Sequence, residues 1–258
     1  MIPDASPIAG TTHLPLLAAA GFVSGVMNAL AGGGSFVSFP ALVFAGLPSV
    51  IANASSTVAL FPGTLASLWV YRRDLASPVR LSLASLLAVS VAGGLAGAIL
   101  LLSTPQIAFN AIIPWLLLFA TLTFAFGRDI GAALQRHIRI GPATLLITQF
   151  ILGLYGGYFG GAVGIMMMAA WSLLGTVGLK AMNPAKTLLV GAANAVAVLC
   201  FILAGAVRWP ETLVMLVAAV AGGYGGARAA RFVPPRAIRA GIIVITITMT
   251  LLLFYRLY

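Results

Sequence analysis

Two clusters in this chain combine main-chain amides and small polar side chains at matched spacing, and the second adds a cation. The first is Gly32, Gly33, Gly34 and Ser35, followed by Asn53, Ser55, Ser56 and Thr57. The second is Gly160 and Gly161, continuing to Gly164, followed by Asn183, Lys186 and Thr187. Asn28 and Asn194 lie in the apolar runs beside them. Glycine is a poor helix former, about 1 kcal/mol worse than alanine, so each cluster predicts a broken helix. A break leaves N–H groups unpaired at the start of the next helical piece, where the helix dipole is partly positive. Glycine also lets a ligand approach the main chain closely. Together these groups offer donors and one positive charge, which suits reversible capture of a small anion.

Bond-making chemistry has no comparable support. An intramembrane enzyme needs paired carboxylates, a nucleophile with its base, or a metal cluster, and none lies within the apolar runs. The four carboxylates, Asp4, Asp74, Asp129 and Glu211, fall in loops or at segment ends. This predicts no buried carboxylate and no proton relay. His13 stands alone, Cys200 reads as a packed hydrophobe, and Met166, Met167 and Met168 have no His or Cys beside them. We therefore expect no metal, no cofactor and no catalytic residue. The polar residues also have a structural reading. Asn53, Ser55, Ser56, Thr57, Asn183 and Thr187 open apolar segments and suit helix caps. Lys186, in the first turn of its segment, suits a snorkelling lysine. Asn28 and Asn194 suit interhelical hydrogen bonds.

The elements that position these residues must be membrane helices. Of 258 residues, 61% are hydrophobic and 7% charged, against about 25% charged in soluble domains. Such a chain cannot cover itself with a water-facing surface. The net charge of +10 does not mark nucleic-acid binding, because the basic residues sit in short loops. Ten apolar segments are legible, at roughly 14–31, 35–47, 54–71, 79–102, 107–126, 142–159, 162–177, 184–207, 210–230 and 236–256. They are apolar on every face, which excludes the alternation of a β-barrel. The second segment is short, about 13 residues or about 20 Å as a helix, and either each of the first two segments crosses or the two form a re-entrant hairpin. No cleavable signal peptide is visible. All Lys and Arg except Arg208 and Arg256 fall in loops on one side. That side is the cytoplasm by the positive-inside rule, so both termini are expected outside it. Trp69, Trp115, Trp171 and Trp209 include several near segment ends, where interfacial anchors belong.

The chain also repeats itself. Gly25 matches Gly153, Gly32 and Gly33 match Gly160 and Gly161, and the NASST of 53–57 matches the NPAKT of 183–187. The VAGGLAGA of 91–98 matches the VAGGYGGA of 220–227, and Pro105 matches Pro234, always at an offset of 128 to 130 residues. Gly93, Gly94, Gly97, Gly222, Gly223 and Gly226 read as small-residue helix packing. Each half has an odd number of crossings, so the second copy enters from the opposite side. The expected fold is an all-α polytopic membrane protein of two inverted-topology repeats. Each has about five hydrophobic segments, with broken or re-entrant helices at the repeat interface. The divisions are an extracytoplasmic segment 1–13, a first repeat 14–126, a cytoplasmic linker 127–141 and a second repeat 142–258.

With these motifs in place, the chain resembles the TauE/SafE family of sulfite-exporter-like membrane permeases. The likeness runs from Gly21 to Tyr258. It rests on the G-x-x-N-A-x-A-G-G-G-S-x-x-x-x-P-A-L stretch of 25–42, the GLPSVIANASSTVALFPG of 46–63, the second-half counterpart around 153–164, NPAKT, and the run from Ala204 to Ala230. Ala162 and Val163, between Gly161 and Gly164, depart from the glycine-richer family form. The resemblance implies export of a small anion, sulfite or a related organosulfur anion such as sulfoacetate, across a bacterial inner membrane. Uptake or channel conduction of another anion such as thiosulfate, and a non-transporting membrane subunit, are the alternatives. The expected partners are that small anion and the lipid bilayer, with no nucleic acid and a homodimer as a possible state.

Overall fold

The computed structural model describes residues 13–31, 33–73, 75–77, 81–134, 141–173, 179–229 and 235–257. Among them the secondary structure is helical, without strands. The helices are α1 (Leu14–Ala31), α2 (Ser35–Phe44), α3 (Ser49–Tyr71), α4 (Leu83–Ser103), α5 (Gln106–Leu134), α6 (Pro142–Tyr158), α7 (Val163–Ser172), α8 (Leu179–Leu203), α9 (Trp209–Ala229) and α10 (Pro235–Leu257). Three stretches are long and apolar enough to cross a membrane by themselves: Leu83–Ser103, Gln106–Gly127 and Met182–Leu203.

Local chemistry sets many of these ends. The Ser82 hydroxyl accepts from the Ser85 amide at the start of α4. Pro142 opens α6, where its missing N–H costs nothing. Gly46 and Gly205 take positive φ, 93° and 67°, just past α2 and α8. In each turn the next residue's amide reaches back five residues, Leu47 to the Leu42 carbonyl and Ala206 to the Phe201 carbonyl, which closes the helix in a Schellman turn.

Two helices start earlier than the sequence suggests. α3 begins at Ser49 and α8 at Leu179, so Asn53 to Thr57 and Asn183 to Thr187 lie inside helices and cap neither. Lys186 accordingly sits beyond the first turn of α8. Thr57 and Thr187 instead bond the carbonyls four residues back, those of Asn53 and Asn183, at 2.9 Å each. α5 also runs on to Leu134, into the stretch read as a linker.

The halves interleave. α1 packs on α9, and α4 packs on α6 and α8. Glycine makes the closest of these contacts. A Cβ at Gly25 would lie 1.9 Å from the Ala219 carbonyl oxygen, and one at Gly222 would lie 2.0 Å from that of Phe22. In the other pair, a Cβ at Gly97 would lie 2.0 Å from the Leu154 oxygen and one at Gly157 2.1 Å from that of Gly94. Gly93 and Gly94 are similarly pressed against Phe150 and Ala193, whereas Gly223 has more room. The surroundings of Gly226 lie outside the described residues. Adding five to each element number maps most of one half's contacts onto the other's: α1 with α9 becomes α6 with α4, and α2 with α10 becomes α7 with α5. α3 with α8 and α5 with α10 map onto themselves.

Candidate functional site

Both glycine clusters interrupt helices. α1 ends at Ala31 and α2 starts at Ser35; α6 ends at Tyr158 and α7 starts at Val163. Gly32 lies outside the described residues. At the second break Gly160 has φ 83° and Ala162 has φ 59°. Ala162 therefore pays for a left-handed conformation that glycine adopts freely, at the position where the sequence departs from the glycine-rich pattern.

Each break is a hairpin. Ten residues of straight helix span about 15 Å. Yet a Cβ on Gly34 would lie 2.6 Å from the Ser24 carbonyl oxygen and 3.1 Å from the Asn28 Cβ, so the chain folds back on α1. In the second half, Gly156 abuts Val163. Gln149 meets Met167 and accepts from the Trp171 indole N–H at 3.1 Å, so α7 runs back along α6. α2 and α7 have ten residues each, about half the length needed to cross a bilayer core of ~30 Å.

The two breaks converge on one level of α5. Gly33 and Phe36 face the Phe124 ring, with the two rings 6.1 Å apart. Gly161 faces Ala120, one helical turn earlier. Phe39 of α2 packs edge-on against Phe159 of the second break at 5.9 Å. Next to Ala120 in the chain, the Thr121 hydroxyl of α5 lies 3.3 Å from that of Thr250 on α10.

The polar residues divide by their partners. Asn53, 2% exposed, donates its amide N–H to the Tyr158 carbonyl at 2.8 Å, fixing the end of α6. The Ser55 hydroxyl accepts from the Arg208 amide at 3.0 Å, tying α3 to the start of α9. Ser56 and Ser38 share a 2.6 Å hydrogen bond between α3 and α2. These three are occupied by the scaffold. Ser35 is half-buried at the start of α2 and Asn194 half-buried in α8. Asn28 lies beside Gly34 and Gly63.

A different arrangement surrounds the start of α7. The Lys186 side chain lies along Gly164: a Cβ there would sit 2.9 Å from the lysine Cδ and 3.5 Å from its Cε. Its ammonium donates to the Asn183 Oδ1 at 3.1 Å. The amides of Ile165 and Met166 bond the Ala162 carbonyl, while those of Val163 and Gly164 have no acceptor among the described residues. These two amides, the positive helix end and an adjacent ammonium occupy one place. The counterpart of Lys186 in the first half is Ser56, so this charge belongs to the second half only.

Glu211 corrects the expectation of no buried carboxylate. It is 3% exposed; α9, which it helps open, packs against α1 and α3, and Ser55 of α3 bonds the Arg208 amide just before it. Arg208 lies 3.7 Å from its Oε1, and Oε2 has no hydrogen-bond partner among the described residues. A lack of interior carboxylate therefore cannot argue against proton coupling. Among the described residues there is no group of His, Cys, Asp and Glu able to hold a metal.

The sequence profile described as "Sulfite exporter TauE/SafE" matches residues 17–253. The chain belongs to the TauE/SafE family. A Haemophilus influenzae relative, "Probable membrane transporter protein", is 29% identical over 249 residues, covering 95% of this chain and 96% of the relative. A Sinorhizobium relative, "Probable membrane transporter protein ORF9", is 29% identical and covers 92% and 91%. YfcA of Escherichia coli K12, also named a probable membrane transporter protein, is 28% identical and covers 90% and 86%. No solved structure gives a significant match. As a TauE/SafE member with this apolar helical fold, the protein is a membrane transporter. Several residues beside the breaks escaped the sequence reading: Thr121, Thr250, Ser24 and Tyr155. Thr121 and Thr250 are separated by 129 residues, the repeat offset itself, and could have been found from it.

Proposed function

We propose that this protein is a carrier that exports sulfite or a related organosulfur anion such as sulfoacetate across the bacterial inner membrane. The observation that carries the reading is Lys186 lying over Gly164 beside the Val163 and Gly164 amides, which have no acceptor among the described residues. An ammonium at membrane depth is costly, and a bound anion offsets that cost while completing those amides. Gly160 and Gly161 let the anion approach. The first break, with Gly33, Gly34, Ser35 and Asn28, forms the facing wall. Asn53, Ser55, Ser56, Thr57, Asn183, Thr187 and Asn194 shape the site through the helices that carry them.

The two halves are inverted repeats. Thr121 meets its own repeat counterpart, Thr250, as happens on a two-fold axis. Trp115 meets Phe254 on the same pair of helices, so α5 and α10 run antiparallel. Counterparts that run antiparallel across their shared axis point to opposite membrane orientation. Three crossings and a hairpin per half give the same parity. Rocking of one repeat against the other would expose the breaks to each side in turn. The excess of Lys and Arg in loops on one side supports a cytoplasmic face there, with both termini on the opposite side. Moving one charge through 100 mV is worth about 2.3 kcal/mol, and a negative interior favours anion efflux.

Proteoliposomes loaded with labelled sulfite test this. We expect saturable efflux, stimulated by counter-substrate and accelerated when the receiving side is made positive. Lys186→Gln should raise the half-saturating concentration at least tenfold. Absence of saturable flux for sulfite, sulfoacetate and thiosulfate alike, or full activity in Lys186→Gln, refutes the reading. Flux without saturation or counter-flow would make the protein a channel.

A further inference from the structure

Among the described residues, three side-chain atoms are buried without a hydrogen-bond partner: Ser24 Oγ, Tyr155 OH and Glu211 Oε2. Such an atom gives up its bonds to water and gains none in return, so each calls for an explanation. Glu211 has Arg208 beside its other oxygen and sits at the start of α9. Ser24 adjoins Gly34, but its hydroxyl is on the short side chain of a helix packed against backbone. Tyr155 is the one placed against the second break by several independent contacts. Its carbonyl accepts the amides of both Phe159 and Gly160. Its ring lies 6.1 Å from the Phe159 ring and 6.1 Å from that of Phe119. Phe119 adjoins Ala120, which faces Gly161. The next residue, Gly156, abuts Val163, the first residue of α7. Packing thus fixes the ring, while its polar end stays buried and unmatched.

We propose that Tyr155 is a specificity-determining residue whose phenolic O–H donates to an oxygen of the transported anion. This rests on the anion-site reading above and adds a side chain which that reading did not include. The ring is held by aromatic neighbours before the anion arrives, so the donor is pre-positioned and little ordering accompanies binding. An oxyanion has several acceptor oxygens: α7's two amides and Lys186 satisfy some, and the phenol takes another. A phenol donates here where an additional cation would not be needed, so the site holds one side-chain charge and several neutral donors.

Tyr155→Phe removes the hydroxyl and keeps the ring. The purified protein is titrated calorimetrically with sodium sulfite and its melting temperature is measured without ligand. Lys186→Gln is carried through both measurements. A hydrogen bond to a charged partner predicts sulfite binding roughly ten- to a hundredfold weaker in Tyr155→Phe. The ligand-free melting temperature should be equal to or above wild type, because a buried unpaired hydroxyl has been deleted. Unchanged sulfite affinity in Tyr155→Phe, with binding lost in Lys186→Gln, overturns the tyrosine's role and leaves the anion site standing. Wild-type affinity in both variants, or no sulfite binding by the wild type, overturns both. A lower ligand-free melting temperature, or failure to fold, would show a structural role for the hydroxyl and also overturn the proposal.

Discussion

Gly164→Ala probes the site without touching any charged group. The added Cβ would lie 2.9 Å from Lys186 Cδ and 3.3 Å from its Cγ, against an ordinary carbon contact of about 3.5–4.0 Å. The clash is with a flexible side chain, so the lysine yields and its ammonium moves by something near 1 Å. At an effective dielectric of about 20, separating unit charges from about 3 to 4 Å weakens their attraction from about 5.5 to about 4.2 kcal/mol. That difference is about tenfold in affinity. Fold stability should hardly change, because Gly164 lies inside α7 and alanine there gains up to about 1 kcal/mol of helix propensity. The assay is sulfite titration beside thermal melting of the same preparation. We expect about tenfold weaker binding with an unchanged or slightly raised melting temperature. Affinity within twofold of wild type would refute the idea that the lysine's place over Gly164 matters.

Other substitutions address the scaffold. Gly97→Ala puts a Cβ 2.0 Å from the Leu154 oxygen, where backbone cannot yield; it should cost about 3 kcal/mol or more by prising α4 from α6, seen as a large fall in melting temperature. Gly241→Ala, which meets nothing within 4 Å, is the control and should leave melting unchanged or raised. Asn53→Ala leaves the Tyr158 carbonyl without its donor and should destabilise by about 1–3 kcal/mol, measured by thermal melting. In a Cys200→Ala background, the pair Thr121→Cys and Thr250→Cys should cross-link under mild oxidation, read as a mobility shift in gels. Flux should fall when it does, because the axis contact is then locked. Free rocking with full flux in the cross-linked protein would count against movement at that contact.

The breaks were legible because glycine pairs recur at matched positions in both halves, and a strong local propensity needs no tertiary help to be read. The helix starts were not. Asn53 looks like a cap because Asn favours that position, but its side chain is engaged by Tyr158, 105 residues away, and local pattern carries no trace of that bond. The burial of Glu211 was hidden for the same reason: neighbouring helices bury it, not its own. Lys186 could be singled out by type, yet its position over Gly164 depends on α8 packing against α7. Tyr155 gave no sequence signal, since a tyrosine near the end of an apolar helix usually serves as packing or an anchor.

The central claim is that the start of α7 and Lys186 hold an anion together. Its most direct test is equilibrium binding of radiolabelled sulfite to wild type and to Lys186→Gln, each verified as folded by its melting curve. The account predicts one saturable site in the wild type and at least tenfold weaker binding in the variant. Equal binding by both proteins would contradict it.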